Sequence, residues 1–476
     1  MYKKKDRNQI SIDNFATPFG GKLNAENRWV KMAEIMPWDI IEDIYATSFK
    51  DENPDGRPPI PARIAFGALY IKENENFPDE RTVEHIAENN YMQYFLGLTE
   101  FRSEPLFDPS MMTWFRKRFT KDDIARINEE IYRRTQPPND DTDPPASGGG
   151  NKGKLILDAT VAPSDVRYPT DLSLLNECRE NTEKMIDHIW DKTERVGHKT
   201  SYKRNIARKR YLKISKQRKP RKGQVRKAIS EQLEYVEMNL ETLGRLLSKI
   251  GIENLTESQM ERLMIVCEVA RQQRKHYEEP KESIPDRIVN LRQPHVRPMV
   301  RGKVGREFEF GQKLAVSVVN GFTFIEVQSW NNFSEGVTLK ASVEKFLKRH
   351  GVYPEAILAD KTYRNRENLR FCKEHGIRLS GPRLGRPKIS DNRQEKEQAY
   401  QDGCERNIVE GRLGTGKRRY GLDRIFARLD GTGEIEAAMN IICMNVAHLV
   451  RILLHCLFQR LQIVILSRSV AINARS

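Results

Sequence analysis

Two aspartates end apolar runs of the same kind in distant parts of the chain. Asp158 follows the aliphatic residues 155–157, and Asp360 follows the aliphatic residues 356–359. Such a run is typical of a buried strand whose last residue emerges at the edge of a sheet. If the two strands are neighbours, both carboxylates lie at one edge, where they can share hard divalent ions such as Mg²⁺. Each aspartate alone is weak evidence, because aspartates are also common turn residues.

A third acid lies in a helical pattern over residues 401–420. Arg406 and Glu410 are four positions apart, and Lys417 is seven beyond Glu410, so on a helix the three share one stripe. Without the two aspartates, this stripe would be interpreted as an ordinary salt-bridged helix surface. The glycines between 411 and 416 each weaken a helix by about 1 kcal/mol relative to alanine, so we expect Lys417 just past a break.

Other kinds of site are disfavoured. Residues 411–417 nearly spell a nucleotide-binding P-loop, but Arg418 stands where Ser or Thr would hold Mg²⁺, and no strand precedes the segment. The six cysteines show no C-x-x-C spacing and the nine histidines no ligand pattern, which disfavours a zinc site and a disulfide framework. Asp165 and Asp171 lie near prolines and are expected to have turn or capping roles.

The R-(3)-E-(6)-K spacing of Arg406, Glu410 and Lys417 resembles the third-acid signature of bacterial insertion-sequence DDE transposases, in the superfamily of insertion sequences four and five. The resemblance covers nearly the whole chain through the segments LILDAT, RGKVGREFEFGQKL, ADKTYRNRENLRFC and RNIVEGRLGTGKRRYGLDRI. It departs at Gly403, where the family pattern has Tyr. The helical insertion also falls after the first strand, whereas many relatives carry a β-rich insertion before the Glu helix.

The resemblance implies an RNase H-like core in which Asp158, Asp360 and Glu410 are the catalytic and metal-binding residues. It implies two Mg²⁺ or Mn²⁺ ions per active site, cleavage at the element ends, and transfer of the freed 3′-OH strand into target DNA. Arg406 and Lys417 are expected to orient the Glu410 helix and to contact scissile-strand phosphates. The expected partners are double-stranded DNA, at terminal inverted repeats and target sites, and a second copy of the chain in a homodimer.

The charge of the chain independently favours a nucleic-acid partner. There are 81 Lys and Arg against 66 Asp and Glu, a net charge of +15, which favours a polyanion. Residues 195–230 hold fifteen Lys or Arg and no acid, whereas a solvated helical face would usually mix charges of both signs. We therefore expect this stretch to contact phosphates, through residues that include Lys203, Arg204, Lys209, Arg210 and Lys213.

The predicted fold class is α/β, with helical regions added to a mixed sheet. Residues 1–135 show helical patterns and are predicted to form a DNA-binding domain, or else a structural bundle. Its candidate phosphate contacts are Arg116, Lys117 and Arg118. Residues 136–153, rich in Pro and Gly, are predicted to be a flexible linker.

The remaining boundaries follow changes in pattern. The RNase H-like core is assigned to 154–170 and 291–433, the basic helical insertion to 171–290, and a core-packed C-terminal helix to 434–476. Within the core, Asn320-Gly321 predicts a hairpin turn between two strands. Arg301 and Lys303 precede this hairpin and are expected to meet phosphate. Trp330 follows it and either stacks on a DNA base or is a core or rim tryptophan.

Two alternatives to a transposase remain open. A non-catalytic DNA-binding regulator or remnant transposase would keep the fold and the charge, and an RNase H-like nuclease would cleave without strand transfer. The basic N-terminus lacks the apolar core of a secretory signal. Charged residues interrupt the apolar stretch 441–470, which disfavours a membrane span. We expect a cytoplasmic, nucleoid-associated protein.

Overall fold

The computed structural model describes residues 2, 4, 10–49, 58–136, 150–191, 201–303, 306–381 and 393–473. Side chains are described for these residues except at 19, 201–202, 301–307 and 454–473. Most of the predicted linker, 136–153, lies outside the described residues.

In the described part of the chain, seven helices precede the first strand. Capping side chains fix several of their starts. Asn27 accepts a hydrogen bond from the backbone N–H of Trp29, and Thr120 and Asp123 form a reciprocal capping box. The helices are Arg28–Ile35 (α1), Trp38–Thr47 (α2), Ala62–Glu75 (α3), Asp79–Glu88 (α4), Asn90–Phe95 (α5), Met111–Lys117 (α6) and Lys121–Arg133 (α7).

A long strand then leads into the insertion. The strand is Lys154–Pro163 (β1), and the helices after it are Asp171–Trp190 (α8), Ser201–Ser215 (α9), Lys222–Ile250 (α10) and Glu257–Glu278 (α11). Thr170 and Thr256 begin α8 and α11 through reciprocal capping bonds. The segment after β1 is therefore helical.

Strands and helices alternate in the rest of the chain. They are Arg297–Lys303 (β2), Arg306–Val319 (β3), Phe322–Ser329 (β4), Leu339–His350 (α12), Ala356–Leu358 (β5), Arg366–Glu374 (α13), Arg378–Leu379 (β6), Arg393–Arg419 (α14) and Thr432–Asn473 (α15). Between β3 and β4, Asn320 and Gly321 have φ angles of 50° and 82°. A two-residue hairpin turn requires positive φ at both central positions, so the predicted hairpin is confirmed.

The described strands form one mixed sheet of six. Its order is β2-β3-β1-β5-β6, and β4 pairs with β3. β1 and β5 are parallel, with Ile156 opposite Leu358, while the β2–β3 and β3–β4 pairs are antiparallel. This sheet and its helices confirm the predicted α/β class with an RNase H-like core.

The chain divides into two compact units. The first comprises Met1–Pro163, Lys313–Ser329 and Phe333–Ser476, and the second comprises Ser164–Gln312 and Trp330–Asn332. The second unit therefore extends beyond the predicted insertion, 171–290, to include β2 and the start of β3.

The N-terminal helices share an apolar core with the sheet of the first unit. Tyr132 on α7 packs against Phe322 and Phe324 on β4, with ring centroids 5.1 and 5.4 Å apart. Tyr70 on α3 is fully buried, and its carbonyl oxygen accepts a hydrogen bond from the Cys443 thiol on α15. Residues 1–135 are therefore not a compact unit of their own, because the sheet and α15 cover their apolar faces.

The helix α15 begins with a strongly apolar segment. Thr432–Leu453 is long and apolar enough to cross a membrane, but 72% of its most apolar window is buried inside the protein. Ile442, Cys443 and Val446 are fully buried there. Such burial is typical of a core helix.

Candidate active site

The two predicted aspartates follow the same paired positions of two neighbouring strands, but Asp158 lies within β1, which continues to Pro163 and does not end at the acid as expected, whereas Asp360 lies beyond the end of β5. β1 and β5 pair in parallel through Ile156 and Leu358, and Asp158 and Asp360 each lie two residues beyond that pair. Neighbouring strands are about 4.8 Å apart. The structure therefore brings both carboxylates to the same part of the sheet.

Backbone N–H groups orient both carboxylates. Asp158 Oδ1 accepts a hydrogen bond from the N–H of Ala159 at 2.8 Å, and Asp360 Oδ1 accepts one from the N–H of Lys361 at 2.7 Å. Asp360 is thereby the N-cap of the short 3-10 helix Lys361–Tyr363. Each carboxylate is held by the residue that follows it.

The pKa of Asp158 is raised to about 6, first because its carboxyl is buried and then because Glu335 and Glu410 are negatively charged. The N–H of Ala159 and the positive charge of Arg406 act in the opposite direction. A desolvated carboxylate beside like charges favours a bound cation, which would relieve both penalties.

Glu410 lies at the surface of a helix that packs on the strands of the two aspartates. The helix α14 contacts both β1 and β5. Val409 and Leu413 on its inner side are buried, whereas the Glu410 side chain is 57% exposed. The glutamate therefore projects from a firmly packed helix into accessible space.

The predicted helix break before Lys417 is absent, because α14 runs without interruption to Arg419. One glycine of this segment, Gly416, is required by the packing of two helices. A Cβ added at Gly416 would lie 2.7 Å from the Met444 sulfur on α15. Glycine at this position lets two helices approach closely, and that packing outweighs its low helix propensity.

In this conformation Glu410 pairs with Arg406, with 3.4 Å between Nη2 and Oε1. Among the described side chains, no three His, Cys, Asp or Glu stand close enough together to hold a metal ion. Glu410 is thus near enough to act on the charge of Asp158, but it does not close around a common point with the two aspartates. The pairing with Arg406 turns the Glu410 carboxylate along its own helix. The donor set still fits a hard divalent cation, since all three offer carboxylate oxygens.

A buried polar network anchors α14 two residues beyond Glu410. The Arg412 guanidinium donates to Asn445 Oδ1 at 2.9 Å and to Thr323 Oγ1 at 3.2 Å. Asn445 Nδ2 in turn donates to Asn128 Oδ1 at 2.8 Å and to the Thr323 carbonyl oxygen at 2.7 Å. The helix that carries Glu410 is therefore tied to β4, α7 and α15.

Two residues close to the acids were not predicted from the sequence. Glu335 begins the 3-10 turn Glu335–Thr338, and Tyr363 is fully buried. The pKa of Tyr363 is raised by burial first, and then by the negative charges of Glu335, Asp158 and Asp360. One tyrosine therefore lies near three carboxylates. Glu335 looks like an ordinary acid in the first turn of a helix, so the sequence held no signal that sets it apart.

The basic residues predicted to contact DNA from α6 have three different environments. Arg116 is buried and forms a two-pronged ion pair with Asp79, which argues against its role as a phosphate contact. Arg118 is half-buried, with its guanidinium 4.0 Å from the Phe49 ring centroid. Lys117 is exposed and remains a candidate phosphate contact.

The basic residues predicted on α9 fall into two groups, one already paired with acids and one exposed. Arg204 pairs with Asp187 at 2.9 Å and with Glu183 at 3.2 Å. These two acids on α8 already neutralise its charge, which argues against its role as a phosphate contact. The other four candidates are exposed: Lys203, Lys209, Arg210 and Lys213.

Trp330 is half-buried and packs edge-on against His295, with ring centroids 4.6 Å apart. This contact favours the rim tryptophan over a base-stacking platform. Arg301 and Lys303 lie on β2, but their side chains are outside the described residues. Their predicted contact with phosphate stays a prediction.

The sheet, the paired strand positions of the aspartates and the adjacent glutamate helix define the class of RNase H-like proteins. Comparison with known families narrows this class. Residues 357–447 match the family described as transposase DDE domain, and residues 18–118 match the family described as transposase domain (DUF772). In these two segments the chain is therefore similar to transposases, and in the second to their DDE domain.

A curated protein from Rhizobium meliloti, the uncharacterized protein ORF8 in the nfe locus, is 28% identical over 167 residues. The aligned part is 34% of this chain and 74% of that protein. Comparison with solved structures found no significant match. The DDE match contains Asp360 and Glu410 but begins after Asp158. The assignment of Asp158 as an active-site residue therefore depends on the parallel register of β1 and β5.

Proposed function

We propose that this transposase cleaves phosphodiester bonds at the ends of an insertion sequence and joins the freed 3′-OH strand to target DNA. The parallel register of β1 and β5, which precede Asp360 and contain Asp158, supports the proposal most strongly, together with the packing of the Glu410 helix on both strands. We further propose that the protein acts in the bacterial cytoplasm, as a homodimer on double-stranded DNA.

Asp158, Asp360 and Glu410 would hold two divalent cations, Mg²⁺ or Mn²⁺, which when bound activate the attacking oxygen and stabilise the leaving oxygen. The three carboxylates supply the negative charge and hard oxygens that such ions require. The N–H groups of Ala159 and Lys361 keep the two aspartates in one orientation. In this scheme the chain contributes a preformed pair of acids and a third acid that moves.

Arg406 contacts the third acid, Glu410, on the same helix. It pairs with Glu410, and its charge also lowers the pKa of Asp158, so it acts on both acids. A guanidinium matches a phosphate as well as it matches a carboxylate. We propose that Arg406 exchanges Glu410 for a phosphate of the scissile strand when DNA binds, with Lys417 as a second phosphate contact.

The DNA itself would be held mainly through its backbone. Four exposed cations on α9 lie in a stretch that has no acid between 195 and 230, and contacts to phosphate fix position without reading bases. Recognition of the element ends by residues 1–135 is supported by the transposase-domain match at 18–118. Lys117 is the candidate contact there.

The test of the proposal is substitution of each acid by its amide. Asp158→Asn, Asp360→Asn and Glu410→Gln should each abolish Mg²⁺-dependent cleavage of a duplex carrying the inverted repeats that flank the gene. An amide is a neutral and poorer ligand of similar shape, so binding to the same duplex, measured by gel shift, should be largely retained.

Asp165→Asn is the matched control, since Asp165 lies outside the three acids, and it should remain active. Near wild-type cleavage by any of the three amide variants would refute the assignment of that acid. A wild-type chain that binds the duplex without cutting it would identify a regulator. Cleavage without joining to a second duplex would identify a nuclease.

A further inference from the structure

The helix α9 of the second unit has one side fixed against its neighbours. Ala207 and Ile214 are buried on that side, and Gln232 Nε2 on α10 donates to the Ala207 carbonyl oxygen at 3.0 Å. Arg204 ties the same helix to Asp187 on α8, with 2.9 Å between the two charged groups. These contacts determine which side of α9 faces away from the helices that hold it.

The outward side of α9 carries an amide and an aliphatic group among cations. Asn205, Lys209 and Lys213 are four positions apart, so they share one stripe of the helix, and all three are exposed. Ile206 next to Asn205 is 48% exposed. Among the described residues, none hydrogen-bonds to the Asn205 amide. The amide donors and acceptor are therefore available to a partner.

The charge around this side of α9 favours DNA as that partner. Residues 195–230 contain fifteen Lys or Arg and no acid, so the segment itself supplies no negative charge to the outward stripe. A second copy of the chain would bring the same cations, which disfavours pairing of two such surfaces. A DNA duplex instead offers phosphates along both edges of each groove.

The size of α9 and the order of its residues fit the major groove. The helix has 15 residues, which corresponds to about 22 Å, and the major groove is about 12 Å wide and admits one helix. In helices that dock this way, residues near the N-terminus contact base edges. Asn205 and Ile206 lie near the N-terminus of α9, and Lys209 and Lys213 follow one and two turns later.

We propose that α9 enters the major groove and reads bases, with Asn205 bonded to an adenine and Ile206 packed on a thymine methyl group. An asparagine amide can accept a hydrogen bond from adenine N6 and donate one to N7, and an aliphatic side chain suits the thymine methyl. The inference rests on the proposed function and adds sequence recognition to the phosphate contacts of this helix. Lys209 and Lys213 would hold the groove edges while the two residues before them select the sequence.

The experiment measures equilibrium binding of the full chain to two duplexes in matched salt. One duplex carries the inverted repeats that flank the gene, and the other has the same base composition in shuffled order. Asn205→Ala should weaken binding to the repeat duplex by about tenfold, as expected for loss of a bidentate base contact, and leave binding to the shuffled duplex unchanged. The slope of log affinity against log salt should stay the same, because no charge is removed.

Modified bases identify the atoms that are contacted. Adenines of the repeats are replaced one at a time by 7-deazaadenine, which lacks N7 but pairs normally. One such replacement should weaken binding of the wild-type chain and have no further effect on Asn205→Ala. Uracil in place of thymine removes the methyl group, and at one position it should likewise weaken the wild-type chain but not Ile206→Ala.

The matched control is Gln217→Ala, which removes a nearby amide that already donates to the Lys213 carbonyl oxygen and should change neither affinity. If Asn205→Ala keeps the wild-type preference for the repeats, base reading by Asn205 is refuted, while end recognition by other residues stands. Equal weakening on both duplexes would also refute it, since α9 would then contact only the backbone. A wild-type chain that binds both duplexes alike would refute end recognition itself, and with it the proposed function.

Discussion

Two asparagines on α15 provide a direct test of what holds the Glu410 helix. Asn440 and Asn445 are both fully buried, but they are bonded very differently. The Asn445 side chain makes four hydrogen bonds, whereas neither polar atom of the Asn440 side chain has a hydrogen-bond partner among the described residues. We expect Asn445→Leu to destabilise the chain strongly and Asn440→Leu to change its stability little.

The size of the difference follows from the bonds that Asn445 loses. Three connect it to neutral groups of Asn128 and Thr323, and one connects it to the Arg412 guanidinium. A neutral hydrogen bond contributes about 0.5–1.5 kcal/mol net and one to a charged group about 1.5–3 kcal/mol. Arg412 keeps its bond to the Met444 carbonyl oxygen, which limits the loss. We therefore expect the free energy of unfolding to fall by about 3–5 kcal/mol.

For Asn440→Leu the same reasoning predicts little change in the free energy of unfolding. Leucine has a similar volume and removes a buried amide that has no partner in the described chain, so a polar burial penalty disappears. We expect a change of at most about 1 kcal/mol in either direction. The comparison is well matched, because both variants place leucine at a fully buried position of the same helix.

Urea unfolding of the full chain, followed by tryptophan fluorescence, measures both variants. Cleavage of element-end DNA should fall in Asn445→Leu and persist in Asn440→Leu, since only the first loosens the anchor of α14. Equal losses of stability in the two variants would show that the network does not secure this helix. The reasoning would also fail if Asn445→Leu unfolded early yet cleaved at the wild-type rate under native conditions.

Two further outcomes test other parts of the chain. The pKa of Glu73 is raised to about 7 by burial, so the folded chain holds this proton more tightly than the unfolded chain, and stability should fall as pH rises from about 4.5 to 7. Urea unfolding of Glu73→Gln should lack that decline, and equal pH slopes in the two proteins would contradict it. In the second unit, glutamine at the exposed cations of α9 should flatten the salt dependence of DNA affinity by about 0.9 per lost phosphate contact. An unchanged slope would exclude a DNA-binding role for this set: Lys203, Lys209, Arg210 and Lys213.

Local sequence patterns predicted much of the fold, because these features depend on interactions between residues close together in the chain. The aliphatic runs before Asp158 and Asp360 predicted two buried strands, and the structure pairs them in parallel. Asn320-Gly321 predicted its hairpin turn, since few other residue pairs adopt positive φ at both positions. The spacing of Arg406 and Glu410 predicted an i,i+4 contact on a helix, and this pair is present.

Features that depend on partners distant in sequence were not predictable. Arg116 belonged to a basic, aromatic segment that resembles a DNA-contacting helix, but its ion-pair partner is Asp79, 37 residues away. Glu335 contacts Thr362 and Lys313, which are 27 residues after it and 22 residues before it in the sequence. The helix break expected near the glycines of α14 did not occur, because the close approach of Met444 favours Gly416 there.

The division of the chain at its N-terminal side also depends on contacts that the sequence does not display, so the boundary at 136–153 stays a prediction. The Pro/Gly-rich composition of 136–153 predicted a boundary, but the buried faces of α3 and α7 are completed by β4 and α15. Asn128 even enters the polar network that anchors α14. The N-terminal helices therefore support the position of Glu410 whether or not they also recognise DNA.

This shared core determines how DNA recognition by residues 1–135 can be examined. Excision of the segment would uncover Tyr70 and Tyr132, which are buried against α15 and β4. It would also remove Asn128 from Asn445, so loss of cleavage in a truncated chain would report on the anchor of α14 as much as on DNA. Substitution of an exposed residue such as Lys117 in the full chain separates the two effects, because that side chain is no part of the core. The helical N-terminal region and the sheet of the first unit thus share one core, and a role in end recognition has to be tested residue by residue within it.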